Sequence, residues 1–148
     1  MAAPVTEKFE EMTLEISADG ITWSKICGLI GVTINRSTSF DTTELPADCD
    51  DESLPLVVAK QPRSKEVSVS AEGVWSQHSH EVVMDWFYDG TAKHVRIGNQ
   101  KAAIGDTQYE TGLAYLSTLN NARTKGQRVS ASIQIDFDGV PTRTARSA

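Results

Sequence analysis

The stretch KEVSVSAEGVW, residues 65–75, contains the most regular strand pattern of the sequence and decides its fold class. Its residues alternate between apolar and polar types, and a period of two is typical of a β-strand with one face in the core. Gly73 interrupts the alternation, which favours a β-bulge or a close approach of another backbone. The apolar set is Val67, Val69 and Ala71, and the polar set is Ser68, Ser70 and Glu72.

A second strand of the same kind lies in QRVSASIQIDFDG, residues 127–139. One of its faces is apolar and the other is hydrophilic. The apolar set is Val129, Ala131, Ile133, Ile135 and Phe137, and the polar set is Ser130, Ser132, Gln134 and Asp136. A serine-rich sheet face is normally solvated, but it also suits the lining of a pore that several subunits form together.

The N-terminal part predicts a hairpin. MTLEIS, residues 12–17, alternates, and the residues expected on its solvent face are Thr13, Glu15 and Ser17. Asp19-Gly20 fits a tight turn, after which Ile21 and Trp23 resume the alternation in a second strand. GVTINRS, residues 31–37, predicts a third strand that ends near Ser37.

The later part of the chain predicts one helix and two more strands. SHEVVMDWFYDG, residues 79–90, changes to a helical period, with Ser79 as the N-cap and Gly90 as the end. The predicted apolar stripe is Val82, Val83, Trp86 and Phe87. KHVRIGN, residues 93–99, and GLAYLSTLNNA, residues 112–122, are the strand candidates.

Residues 38–64 show no periodicity and are predicted to form a long loop. Within this segment, LPLVVAK is compatible with a short strand or a helical turn. Its stretch PADCDDES, residues 46–53, concentrates carboxylates, namely Asp48, Asp50, Asp51 and Glu52. Together the patterns predict a mainly β fold, an antiparallel sandwich or barrel with one flanking α-helix and a long loop after the third strand. The expected division is an N-terminal segment 1–11, a domain 12–139 and a C-terminal tail 140–148.

The composition narrows the function classes. The chain has 148 residues and a formal net charge of -6, which opposes a surface that grips DNA, because affinity for DNA comes mainly from basic side chains. No segment approaches bilayer-spanning length, and the acidic first eleven residues do not read as a signal peptide, so we expect synthesis in the cytoplasm. In that compartment Cys27 and Cys49 are expected to be free thiols.

The residues give little support for catalysis or for a cofactor. The acidic stretch lacks the fixed spacing and the glycine of a calcium loop, so a solvated or partner-facing loop is favoured over a metal site. His78 and His80 resemble a zinc-ligand pair but lack an obvious third ligand. There is no nucleophile elbow or catalytic cysteine signature. The sequence therefore predicts a protein that is not an enzyme and that binds neither metal nor cofactor.

The order of elements resembles the tail tube proteins of long-tailed bacteriophages and gene transfer agents. The resemblance spans residues 12–139 and is carried by GLIGVTINRSTSFDTTEL, KEVSVSAEGVW, the aromatic helix end before Asp89-Gly90, and the late hairpin around Asn120-Asn121. It implies a β-sandwich that forms hexameric rings, which stack into a tube with a barrel-like lumen. It also implies a structural virion protein of the tail, assembled in the host cytoplasm, with DNA passing through the lumen without specific binding.

The resemblance assigns roles to two sets of residues. The candidates for the lumen, selected by strand alternation alone, are Ser68, Ser70, Glu72, Ser130, Ser132, Gln134 and Asp136. In that family the loop after the third strand reaches an adjacent ring, which maps here to residues 39–63. The candidates for this contact between rings are the carboxylates of Asp48, Asp50, Asp51 and Glu52 and the basic side chains of Arg123, Lys125 and Arg128. Further partners implied are the tape measure protein, the tail terminator and the tail tip or baseplate proteins.

An enzyme with a diffuse site is the least favoured alternative. Two further alternatives remain open. One is a tube protein like that of type VI secretion, which has similar physics but passes proteins. The other is a virion-associated binding module with a β-sandwich fold, in which Trp23 and Trp75 lie on the surface as a platform.

Overall fold

The computed structural model describes residues 3–4, 6–26, 28–77 and 80–147 of the chain. It confirms the prediction of a mainly β, antiparallel fold with one α-helix. The elements in chain order are a 3-10 helix at Phe9–Glu11, β1 at Met12–Ser17, β2 at Ser24–Lys25, β3 at Leu29–Leu45, β4 at Val57–Val74, α1 at His80–Asp89, β5 at Lys93–Asn99, β6 at Thr107–Ala122, β7 at Ser130–Phe137 and β8 at Thr142–Ala145.

The strands form one open sheet in the order β2-β1-β5-β6-β7-β4-β3, and β8 pairs with β6 outside this path. The strand β6 joins two halves of the sheet. Its residues 109–114 pair with β5, and its residues 114–122 pair with β7. The inner faces of the two halves pack on each other in one core, which contains Ile16 and Val95 from one half and Val69 and Ile135 from the other. The fold is thus a sandwich made by one sheet.

An ion pair ties the two halves together at the rim of the core. Arg36 of β3 donates to both carboxylate oxygens of Glu110 of β6, and the bond from its Nε is 3.3 Å long. Both residues lie on the inward-facing side of their strands, since Arg36 is paired with the buried Val67 and Glu110 with the buried Ile97.

The first hairpin has a shorter second strand than predicted. Only Ser24–Lys25 pairs with β1, so the strand through Ile21 and Trp23 is wrong, and residues 18–23 form the connecting loop. The predicted turn at Asp19-Gly20 is present, with Gly20 at a φ of 80°. The carboxylate of Asp19 accepts the backbone N–H groups of Ile21 at 2.9 Å and Thr22 at 3.0 Å, so this side chain organises the loop in place of a strand ladder.

The polar face of β1 is buried and not solvated, which corrects the sequence prediction. Thr13, Glu15 and Ser17 are each at most 9% exposed. Glu15 accepts a hydrogen bond from Arg96 at 2.9 Å, and the guanidinium of Arg96 lies between the rings of Trp23 and Tyr109, 4.5 Å and 4.2 Å from their centroids. These side chains form a small second layer outside the sheet, which explains the burial of a hydrophilic face.

The helix α1 contributes two side chains to the core. Val83 and Trp86 are buried, but Val82 and Phe87 are 43% and 38% exposed, so the predicted stripe is half as wide as expected. Gly90 ends the helix at a φ of 65°, as predicted. Ser79, predicted as the cap, lies outside the described residues.

The segment predicted as a loop is mostly strand. The third strand continues to Leu45, and β4 begins at Val57, so residues 38–45 and 57–64 form a ladder and only residues 46–56 connect them. We call residues 37–66 the hairpin arm, because β4 pairs with β7 only from Ser68 onward. Nearly all of the arm is exposed on both faces, which removes the alternation that identifies a strand in sequence.

Other points at which the observed strands can be compared with the predicted ones are Gly73, the start of β7 and β8. Of the two alternatives predicted at Gly73, the close backbone approach is confirmed, because a Cβ at position 73 would lie 2.1 Å from the Gly28 oxygen, while the bulged residue is Ile30 of the partner strand, between Leu29 and Gly31. The strand β7 begins at Ser130, so Val129 is not part of its apolar face, and it is 37% exposed. β8 pairs with β6 within the segment predicted as a tail, and the domain boundaries stay a prediction.

Candidate assembly surfaces

The seven lumen candidates lie together on one surface, the outward side of β4 and β7. The register places Ser68 opposite Asp136, Ser70 opposite Gln134, Glu72 opposite Ser132 and Val74 opposite Ser130. Residues directly opposite in an antiparallel pair share a face of the sheet. The assignment of these residues to a lumen remains a prediction, but their juxtaposition is a feature of the fold.

The same surface extends onto the neighbouring strands, which sequence reasoning missed. Thr33 and Asn35 of β3 pair with Ser70 and Ser68, and Thr118 and Asn120 of β6 pair with Gln134 and Ser132. We call this four-stranded surface of β3, β4, β7 and residues 115–122 of β6 the polar face. A bulge between Leu116 and Thr118 shifts the alternation in β6, which is why its pattern alone does not reveal the polar side.

The polar face carries negative charge and mostly small side chains, with Tyr115, opposite Asp136 and 44% exposed, as a large aromatic member. Glu72 is exposed and Asp136 is half-buried, and the paired residues that share this face include neither Lys nor Arg. Gly31 lies opposite Glu72, and a Cβ on it would meet the Glu72 side chain at 3.3 Å, so the glycine leaves room for the carboxylate. Gln134 donates to Asp136 at 3.3 Å, which fixes one carboxylate on the surface.

Both lateral edges of the polar face are open within the described residues. The strand β3 pairs only with β4, and residues 115–122 of β6 pair only with β7. Open edges present unpaired backbone groups that favour pairing with another strand. A sheet that is hydrophilic on one face and open at both sides is suited to continuing into further copies of itself.

The hairpin arm ends in the predicted acidic stretch. Asp48 accepts the N–H of Asp50 at 2.9 Å, and Asp51 accepts the N–H of Ser53 at 3.1 Å and its hydroxyl at 2.5 Å. The hydroxyl of Ser53, followed by its N–H, lowers the pKa of Asp51. Both carboxylates therefore shape the turn, which is the ordinary use of aspartate in loops.

The basic candidates lie at the opposite end of the sandwich. Arg123, Lys125 and Arg128 belong to the β6–β7 connection, residues 123–129, which we call the basic turn. This turn follows the pair Ala122 and Ser130, and Ser130 pairs with Val74 at the end of β4. The strand β4 has 18 residues, so roughly 60 Å separates its two ends. The structure thus does not bring the acidic and basic candidates together within one copy.

The histidines and cysteines considered as metal ligands or reactive groups have ordinary surroundings where the structure describes them. The Trp75 indole donates to Nδ1 of His80 at 2.7 Å, while His78 lies outside the described residues. Cys49 is exposed with a free thiol, and Cys27 also lies outside the described residues. In the part of the chain that the structure describes, no three His, Cys, Asp or Glu side chains come together as a metal site requires. The described helix is too short and too polar to span a membrane.

Comparisons with known proteins show which structures share this fold and which family the sequence matches. The fold is similar to that of a gene transfer agent tail with C6 symmetry, with a TM-score of 0.76 at 14% identity over 95% of this chain and 100% of the other. The tail tube of phage SPP1 gives a TM-score of 0.67 at 12% identity over 97% and 81% of the two chains. No curated protein sequence matches significantly.

The same fold is also found in a contractile injection system. A chain of the sheath-tube complex of an extracellular contractile injection system, PVC, gives a TM-score of 0.61 at 12% identity over 95% and 93% of the two chains. At these identities the likeness shows the fold alone. The sequence itself matches the family described as phage tail tube protein over residues 6–143, nearly the whole chain, and the chain therefore belongs to that family.

Proposed function

We propose that this chain assembles into rings that stack into the tube of a phage tail and that the polar face lines the channel. The observation that carries the proposal is a four-stranded hydrophilic surface with open edges on both sides. Pairing β3 of one copy with the open edge of β6 in the next would remove both edges and close a barrel. The C6 symmetry of the similar gene transfer agent tail supports rings of six.

The charge of the polar face supports passage of DNA without retention. The DNA duplex carries about one negative charge per 1.7 Å of its length. Carboxylates from Glu72 and Asp136, repeated in every copy, repel that charge, and small serine side chains leave the wall smooth. The work of the protein is then physical and involves no catalytic step.

The two ends of the molecule support stacking of the rings head to tail. The acidic tip of the arm, residues 48–52, and the basic turn lie at opposite ends of the long strands. An interface between two different surfaces that repeats along one direction produces an open filament. We place the carboxylates of Asp48, Asp50, Asp51 and Glu52 of one ring against Arg123, Lys125 and Arg128 of the next. By analogy within the family, the tape measure, terminator and tail tip proteins are further partners.

The binding-module alternative has less support. Trp23 is stacked on Arg96, and Trp75 packs against the core and donates to His80, so both rings are engaged within the chain. A tube that passes proteins, as in type VI secretion, has the same fold requirements, but the matched family is that of phage tails.

Electron microscopy with light scattering of the purified chain tests the proposal. Hollow tubes or rings are expected, either spontaneously on concentration or after addition of tail tips and tape measure protein as initiator. Monodisperse subunits that form neither rings nor tubes in the presence of the initiator would contradict the proposed function.

A further inference from the structure

An open groove lies between the edges of the two sheet halves, beside the first residues of β3. Its floor is formed by apolar side chains of β1, the β2–β3 connection and β3, residues 7–10 form one wall, and Lys25 lies at its side. The floor residues are Met12, Leu14, Ile26, Leu29 and Val32. The groove has a volume of about 440 Å³, and four of these five residues are only partly buried, so it has room for several apolar side chains.

The arm carries an apolar segment directly after its acidic tip. Leu54, Leu56, Val57 and Val58 lie within five consecutive positions and are between 44% and 56% exposed. Contiguous exposed apolar side chains on a soluble protein are typical of an interaction site. Each copy therefore has an apolar segment, residues 54–58, and an apolar groove.

The segment and the groove of one copy cannot meet. Val57 begins β4 at the tip, whereas Ile26 and Leu29 line a small cavity together with Val74 and Trp75 at its other end. The length of β4, roughly 60 Å, separates them. Any contact between the two is a contact between copies, and it repeats in one direction.

The groove adjoins the basic turn. The N–H of Trp75 donates to the oxygen of Val129, the last residue of that turn, at 2.8 Å, and Trp75 shares its cavity with Ile26 and Leu29. One end of the molecule thus presents a basic surface next to an apolar groove, and the other presents an acidic tip next to an apolar segment. The acidic tip and the basic turn are opposite in charge, and the segment and the groove floor are both apolar, while the wall of the groove carries both signs of charge from Glu7, Lys8 and Glu10.

We propose that residues 54–58 of one copy insert into this groove of a copy in the adjacent ring. The inference rests on the proposed function and specifies the site that receives the arm. Burial of apolar side chains is favourable at any ionic strength, so the groove supplies adhesion that does not weaken at high salt, unlike the charge contact.

Disulfide trapping in assembled tubes tests the inference. In a background with Cys27→Ser and Cys49→Ser, Leu56→Cys is combined with Ile26→Cys in the groove or with Ile21→Cys as the matched control, since Ile21 is 82% exposed in the β1–β2 loop. The groove pair is expected to give a ladder of cross-linked multimers on a non-reducing gel, because a head-to-tail contact links successive rings. Tubes that give no ladder with the groove pair, or an equal ladder with the control pair, would overturn the inference and leave the proposed function intact.

Hydroxyl-radical footprinting of the unsubstituted protein gives an independent readout. Met12 and Leu56 are expected to lose reactivity together when subunits form tubes, while Ile21 keeps its reactivity. A Met12 that stays as reactive in tubes as in subunits would overturn the inference. Failure of the unsubstituted protein to form tubes with its initiator is a different result, because it contradicts the proposed function itself and removes the basis of the inference with it.

Discussion

Arg96 holds the outer layer of the N-terminal half of the sheet. Its guanidinium is stacked between Trp23 and Tyr109 and bonded to Glu15, whose side chain is 12% exposed. Removing one partner of a buried ion pair leaves the other charge without compensation. Trp23, Arg96 and Tyr109 cover the polar side of β1 and come from three separate parts of the sequence. The alternation of β1 therefore predicted the strand but not the burial of its polar side.

We predict that Arg96→Ala lowers the free energy of unfolding by about 3 kcal/mol, since it strands the Glu15 carboxylate and removes two ring contacts. Arg96→Lys keeps the charge but loses the planar stacking. Its free energy of unfolding should lie between those of Arg96→Ala and the unsubstituted protein. Urea denaturation measures the difference, with Arg143→Ala on the exposed strand β8 as the control. Equal stability of Arg96→Ala and the unsubstituted protein would contradict this role.

Asp19 is a second residue whose chemistry is local. The backbone N–H groups of Thr22 and Ile21, together with the Ser17 hydroxyl, lower the pKa of its carboxyl from 3.8 to about 2. Because the folded state favours the ionised form, its contribution to stability is complete above the ordinary pKa and is lost as pH falls through about 2.

An NMR titration of the side-chain carboxyl carbons is expected to give Asp19 a midpoint near 2, well below those of exposed aspartates. Ser17→Ala removes one donor and should raise the midpoint. A midpoint for Asp19 at its ordinary value would show that the loop hydrogen bonds do not hold in solution.

At the scale of elements, the strands of the hairpin arm were not predicted from the sequence, although they form a long ladder. Strands with one buried face, such as β5 at Lys93–Asn99, were predicted with their bounds. The arm has no buried face, and an extra residue at Arg63 shifts the register between Ser39 and Phe40, which reverses the alternation in β4. Pairing between its two strands maintains the arm, and this pairing leaves no periodic pattern in the sequence.

The arm is expected to be dispensable for the fold and required for stacking. Deleting residues 41–61 and joining Phe40 to Pro62 through Asn-Gly removes no core side chain, so the free energy of unfolding should change by less than about 1 kcal/mol. Urea denaturation checks the fold, and electron microscopy with the initiator should find no stacked tubes. An unfolded variant, or tubes of normal length, would contradict the separation of the two roles.

For the whole molecule, composition and alternation predicted the class of fold and the polar surface, but not the topology. That β1 pairs with β5 and that β6 serves both halves depends on contacts distant in sequence. The seven predicted polar residues proved to be neighbours because β4 and β7 pair in a register that aligns their hydrophilic sides. The receiving groove was not predicted, since it forms only where the two halves leave an opening.

The charge of the polar face leads to a prediction about the complete tail. Glu72→Lys and Asp136→Lys should assemble normally, because neither side chain contributes to the core, and should slow DNA ejection because each added cation attracts the phosphates. Glu81→Lys on the exposed surface of α1 is the control with the same change of charge. Ejection kinetics from assembled particles measure the effect, and identical rates in all three variants would contradict a channel role for the polar face.

The most direct test of the central claim is a helical reconstruction of assembled tubes by electron cryo-microscopy. We predict that the polar face forms the inner wall, with the side chains of Glu72, Ser132 and Gln134 facing the channel and the hairpin arms directed at the next ring. A reconstruction in which these side chains lie on the outer surface, or are buried between subunits, would contradict the account.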